Sequence, residues 1–127
     1  MNETILKLKS AITSIEKKNG PLVICALFLR EEPLEKWDIL ISAPWLNPTE
    51  MVSYQAISDS LKEFLNDSEF IDISRIVILS QDDPVVSYLL NLDTISNGGF
   101  KELHTDVLSE RFKFIIKRAY LLRSQKL

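Results

Sequence analysis

Apolar residues recur near the start of the chain at three- and four-residue spacing, Ile5, Leu8, Ile12 and Ile15, set between Lys7, Lys9, Glu16 and Lys17. That is one stripe of an amphipathic helix and predicts a helix over 3–18. Lys17 and Lys18 fall in its last turn, where cations favour the negative dipole end. Asn19-Gly20-Pro21 then accepts a left-handed turn and forbids continuation. Leu22 to Leu29 is apolar at both odd and even positions, as expected of a strand covered on both faces. The polar stretch Arg30 to Lys36 turns the chain into a second strand, 37–45. Its odd positions are Trp37, Ile39, Ile41, Ala43 and Trp45, and its even positions are Asp38, Leu40, Ser42 and Pro44. So short a connection predicts an antiparallel pair, because a parallel return needs a crossover of about a dozen residues.

Leu46-Asn47-Pro48-Thr49-Glu50-Met51 predicts a helix start, with Asn47 as cap, Pro48 at the first helical position, Glu50 closing a capping box and Leu46 stapled to Met51. Val52, Tyr54, Ile57, Leu61, Phe64 and Leu65 form the expected buried stripe, and Asp67-Ser68-Glu69 is expected to end the helix after Asn66. The β-branched segment 73–80 predicts a third strand. Strand, helix, strand is a right-handed crossover, so strands two and three should be parallel. Gln81-Asp82-Asp83-Pro84 predicts a second proline-started helix over 84–92. Asp93 to Gly99 has loop composition, with Asn97-Gly98-Gly99 its freest point, and 100–105 has weak strand character. In the final segment, 112–122, Phe112, Ile115, Ile116, Ala119 and Leu122 fit a helical face. Phe114 and Leu121 break it, and the aromatic and β-branched content favours a strand.

The pattern predicts an α/β (mixed α+β) domain of two or three layers, ordered α-β-β-α-β-α-β-β, with a mixed sheet of four or five strands. A length of 127 residues supports one globular domain, 1–127, rather than two. Its 46% hydrophobic and 26% charged residues exclude disordered and collagen-like classes. The 3 Gly and 5 Pro imply few turns and long elements.

The longest apolar stretch, Pro21 to Leu29, is strand-sized and far short of the roughly 18–20 residues of a membrane span. No basic region precedes an apolar segment at Met1-Asn2-Glu3-Thr4, so the expectation is no signal peptide and cytoplasmic residence. Net charge is −3, but residues 1–110 hold 9 basic and 18 acidic side chains, whereas 111–127 hold 6 basic and none acidic. An acidic body repels polyanions, which makes nucleic acid a disfavoured partner unless the tail alone forms a patch. The alternative is a tail that packs along the body and neutralises it.

Chemistry-bearing motifs are sparse. No Gly-rich phosphate loop, nucleophile elbow, zinc-binding set or EF-hand loop occurs. The acid, spacer, lysine pattern of metal-dependent nucleases is also missing: Glu35-Lys36 lacks the spacer, and Glu16-Lys17-Lys18 lies on a helix. Cys25, the one cysteine, lies within Val23 to Leu27 and reads as a small buried hydrophobe rather than a nucleophile. His104, the one histidine, is flanked by Glu102 and Asp106, which would share its face on a strand.

Topology offers a better candidate. Parallel strands two and three would bring their carboxyl ends together, where α/β sheets bind ligands. Ser42, Trp45 and Asn47 would there face Ser80, Gln81, Asp82 and Asp83, beside helix starts at Pro48 and Pro84. Helix N-termini attract anions and the aspartates repel them, so a divalent metal bridging to a phosphate fits the chemistry. Each residue also has a structural role to fill: Asp83 as helix cap, Asp82 in a turn, Trp45 in the core. Pro33, Trp37, Pro44 and Trp45 suggest a protein interface, with an exposed tryptophan at a strand end as anchor. The sequence therefore favours a non-catalytic cytosolic interaction or regulatory module needing no cofactor. Its partner would be another protein or a second copy, paired through an edge strand or the C-terminal segment. The alternative is a small-ligand or metal-dependent phosphate-handling site at the ends of strands two and three.

Overall fold

A computed structural model describes residues 2–31, 36–96 and 99–127, with the Asn2 side chain excepted. Pro33, Glu35 and the Asn97-Gly98 pair lie outside the described residues. The elements run α1 (Asn2–Asn19), β1 (Ile24–Arg30), β2 (Lys36–Ser42), α2 (Met51–Phe64), α3 (Asp67–Asp72), β3 (Ile73–Ile78), α4 (Pro84–Leu92), β4 (Lys101–Glu102), α5 (Thr105–Phe112) and β5 (Ile116–Ser124). They build one mixed five-stranded sheet in the order β3-β2-β1-β5-β4. The pair β1–β2 is antiparallel and β2–β3 is parallel, as their connection lengths predict, and β1–β5 is antiparallel.

Strand β1 owes its central place to being apolar on both faces. Cys25, Leu27 and Leu29 pack with Ile5, Leu8, Ile12 and Ile15 of α1 and with Ile57 and Leu61 of α2. Ile24, Ala26 and Phe28 pack on the other side with Val86 and Leu89 of α4 and with Leu108 of α5. The domain is therefore three layers, helices over both faces of the sheet. Phe28 is fully buried, with Phe112 edge-on to its ring at 5.2 Å between centroids.

Ion pairs centred on two buried charged residues, Asp38 and Arg123, tie strands to their neighbours. Asp38 accepts from Arg75 through both carboxylate oxygens, at 3.2 and 2.7 Å, and lies 2.9 Å from Arg30. Arg123 of β5 reaches Glu16 of α1 at 2.7 Å, so part of the basic tail does neutralise the body. The last strand, however, is not an edge: β5 lies between β1 and the two-residue β4, and its residues from Ala119 to Ser124 are buried. Pairing of a second copy along a β5 edge is excluded over the stretch that β4 occupies.

Three local expectations change. Residues 47–50 form a turn rather than the first turn of α2: the Glu50 amide donates to the Asn47 carbonyl at 3.1 Å, and Asn47 Oδ1 accepts from the Thr49 amide at 2.9 Å. Asn followed by Pro suits the first two positions of a β-turn as well as it suits a helix start, and here the turn wins. Met51 is consequently 78% exposed and not stapled to Leu46, while Val52, about 140° around the helix from Ile57, is 68% exposed. Next, Asp67-Ser68-Glu69 does not merely end α2. Asn66 and Glu69 form a capping box that opens α3. Finally, His104 caps α5 by position, placing Asp106 inside a helix, so the proposed strand face of Glu102, His104 and Asp106 does not form.

Candidate functional site

The parallel register brings the ends of β2 and β3 side by side, and the Leu79 amide extends the pairing to the Ile41 carbonyl at 2.8 Å. Beyond these ends the loops diverge around an open cleft of about 600 Å³, lined by Pro44, Trp45, Leu46, Asn47, Pro48, Glu50, Ser80, Gln81 and Asp82. Five of the seven expected residues, Trp45, Asn47, Ser80, Gln81 and Asp82, thus share one cavity. Ser42 and Asp83 do not line it. Ser42 is fully buried, on the sheet row of Ile24 beneath α4. Asp83 accepts from the Val85 amide at 2.9 Å and caps α4, with Pro84 at the first helical position.

Each wall of the cleft is fixed by local chemistry. Trp45 Nε1 donates to the Gly20 and Pro21 carbonyls at 3.0 and 3.2 Å, anchoring the indole on the connection between α1 and β1. Ser53 of α2 accepts from the Asn47 amide at 3.0 Å, and Tyr54 donates to the Pro48 carbonyl at 2.8 Å, so α2 holds the loop that precedes it. Asn47 Nδ2 donates to Glu50 at 3.1 Å. On the other wall the Ser80 hydroxyl donates to Asp82, and the Asp83 amide closes the turn on the Ser80 carbonyl at 3.0 Å. The Ser80 hydroxyl, aided by a backbone amide, holds the Asp82 carboxyl below its ordinary range. Asp82 therefore stays ionised well below neutral pH.

The cleft is acidic: Glu50 and Asp82 are the charged side chains lining it, and no basic side chain joins them among the described residues. An anion would need a bridging cation here, and no group of three His, Cys, Asp or Glu that could hold a metal occurs among the described residues. The chain was compared with protein-family models, curated proteins and solved structures. None of these matches it. The chemistry of the cleft rests on its own geometry.

The sequence alone does not place Pro44, Leu46, Pro48 and Glu50 in the cleft wall, although it marks Pro44 as an interface residue and sets the Pro48 helix start beside the site. In sequence Glu50 reads as a capping-box residue, whereas in the structure it follows the turn at 47–50 and lines the cleft. The other candidates lie elsewhere. Cys25 is buried, and burial pushes its thiol up to about 12. His104 lies at the opposite edge of the sheet, in a groove of about 180 Å³ with Tyr88, Leu92 and Val107. Trp37 is buried against Tyr120, with 5.9 Å between ring centroids, so Trp45 is the tryptophan available as an anchor.

No helix among the described residues is long and apolar enough to cross a membrane.

Proposed function

We propose that this domain is a non-catalytic binding module whose docking site is the cleft beyond the carboxyl ends of β2 and β3. The observation that carries this reading is the convergence of Trp45, Asn47, Ser80, Gln81 and Asp82 on one cavity at the position where α/β sheets bind ligands. Binding is favoured over acid-base or nucleophilic chemistry by the state of the reactive groups. Asp82 is held below its usual range and is a weak base at neutral pH. The Cys25 thiol is raised and buried, and the histidine sits across the sheet.

A small polar ligand is the second reading, favoured by the cleft volume of about 600 Å³, which falls among typical small-ligand sites of about 300–1,000 Å³. Thermal-shift measurements with Mg²⁺, phosphate, nucleotides and short peptides test both. A bound probe raises the melting temperature, and Asp82→Asn or Trp45→Ala abolishes the rise. A rise that survives both substitutions places binding elsewhere and ends the proposal.

A further inference from the structure

Beside the cleft, the first turn of α2 carries two exposed apolar side chains, Met51 at 78% and Val52 at 68%, directly after the cleft residue Glu50. Single exposed apolar residues need no explanation, but this pair is adjacent and follows the cleft-lining residues Pro48 and Glu50 directly in the chain. The cleft itself carries Glu50 and Asp82 without a compensating cation among the described residues. Because Trp45 turns its N–H back to Gly20 and Pro21, the indole has only carbon surface left to offer, which suits a cation or an aliphatic stem.

We infer that the cleft receives a Lys or Arg side chain of a protein partner, whose flanking apolar residues cover Met51 and Val52. The inference rests on the binding reading above and names its ligand. Charge complementarity selects the basic residue: a carboxylate partner would enter a cleft that already carries two like charges, whereas an ammonium or guanidinium enters one lined by carboxylates of opposite charge and an indole. The apolar rim selects a peptide segment over a free cation, since an isolated ion would leave Met51 and Val52 uncovered. The Ser80 hydroxyl and a backbone amide hold the Asp82 carboxyl below its ordinary range, so its charge, and its part in the binding, persists through mildly acid conditions.

Fluorescence anisotropy with labelled acetyl-Leu-X-Leu-amide peptides, where X is Lys, Arg or Glu, tests this directly, with amide shift mapping to locate the contact. The Lys and Arg peptides should bind at the cleft, weaken with salt, and exceed the Glu peptide by about tenfold or more. The double variant Glu50→Gln with Asp82→Asn should lose about tenfold, and Met51→Ser with Val52→Ser a few fold, each with the parent circular dichroism spectrum. Should the double variant unfold, Glu50→Gln alone repeats the test, since it keeps a side-chain acceptor for Asn47. Equal binding of the Glu peptide, or affinity unchanged in the carboxylate variants, overturns the inference while leaving a cleft that binds. Saturation by Mg²⁺ or free lysine with no effect of Met51→Ser and Val52→Ser makes the site one for small cations and also overturns it. Absence of any cleft shift with every peptide, Mg²⁺ and phosphate removes the binding reading itself.

Discussion

Gly20 lies at φ +119°, a conformation that side-chain-bearing residues rarely adopt, and a Cβ there would stand 3.3 Å from Trp45 Cδ1. Its carbonyl is also one of the two acceptors of the indole N–H. Gly20→Ala is therefore expected to cost about 1–3 kcal/mol and to shift Trp45 in the cleft wall, read as a lower denaturation midpoint with altered tryptophan emission. Cys25 makes a second prediction. Its thiol ordinarily ionises at 9.0 but only at about 12 in the folded protein, because burial outweighs the nearby Arg123. Above pH 9 the unfolded chain releases this proton first, so the contribution to stability is complete below 9 and is lost as pH rises toward 12. Its slope approaches about 1.4 kcal/mol per pH unit. Denaturation of the wild type and Cys25→Ala across pH 8 to 11 checks the sign, and a thiol reagent should label the native protein only as it opens.

At the scale of elements, the two Pro-containing starts make an instructive pair. At Asp83-Pro84 the cap and first-position roles expected from sequence are both filled, and Asp83→Ala should cost about 1 kcal/mol in thermal or chemical denaturation. At Asn47-Pro48 the same chemistry makes a turn, because Asn47 caps Thr49 locally and Ser53 supplies the acceptor for its amide. Propensity could not choose between them, since a β-turn and a helix start draw on the same residues, and the choice fell to the packing of α2. That choice hid Glu50 from the sequence and exposed Met51 and Val52. The α3 start at Asn66 and Glu69 was written in the chain as a capping-box pair, but it stood where a helix end was expected. There Glu69 also accepts from Lys7 at 2.8 Å and Thr4 at 3.2 Å, tying α3 to α1. Helix α5 was obscured because only Leu108 among its residues is buried, too little for a periodic signal.

For the whole molecule, β1 and the crossover from β2 to β3 could be read from hydrophobic pattern and connection length, and these two features place the cleft. The position of β5 could not, because strand order depends on contacts distant in sequence. Its basic residues read as a tail that could pack along the acidic body, and Arg123 does so, buried on Glu16, while the strand pairs with β1 along seven residues of β1. Deleting 116–127 is therefore expected to abolish cooperative unfolding rather than to change self-association, as followed by circular dichroism and light scattering. It would strip β1 of one of its two neighbours. The sheet thus serves as a rigid frame for loops at one end, and the function proposed lies in those loops.

The most direct test is amide and indole shift mapping of the ¹⁵N-labelled chain titrated with the Lys-centred peptide. The cleft account predicts saturable shifts at the Trp45 indole N–H, at Ser80 to Asp82 and at Glu50 to Val52, with the groove around His104 unmoved. Saturable shifts confined to that groove or to the outer edge of β3, or none at the cleft, would contradict it.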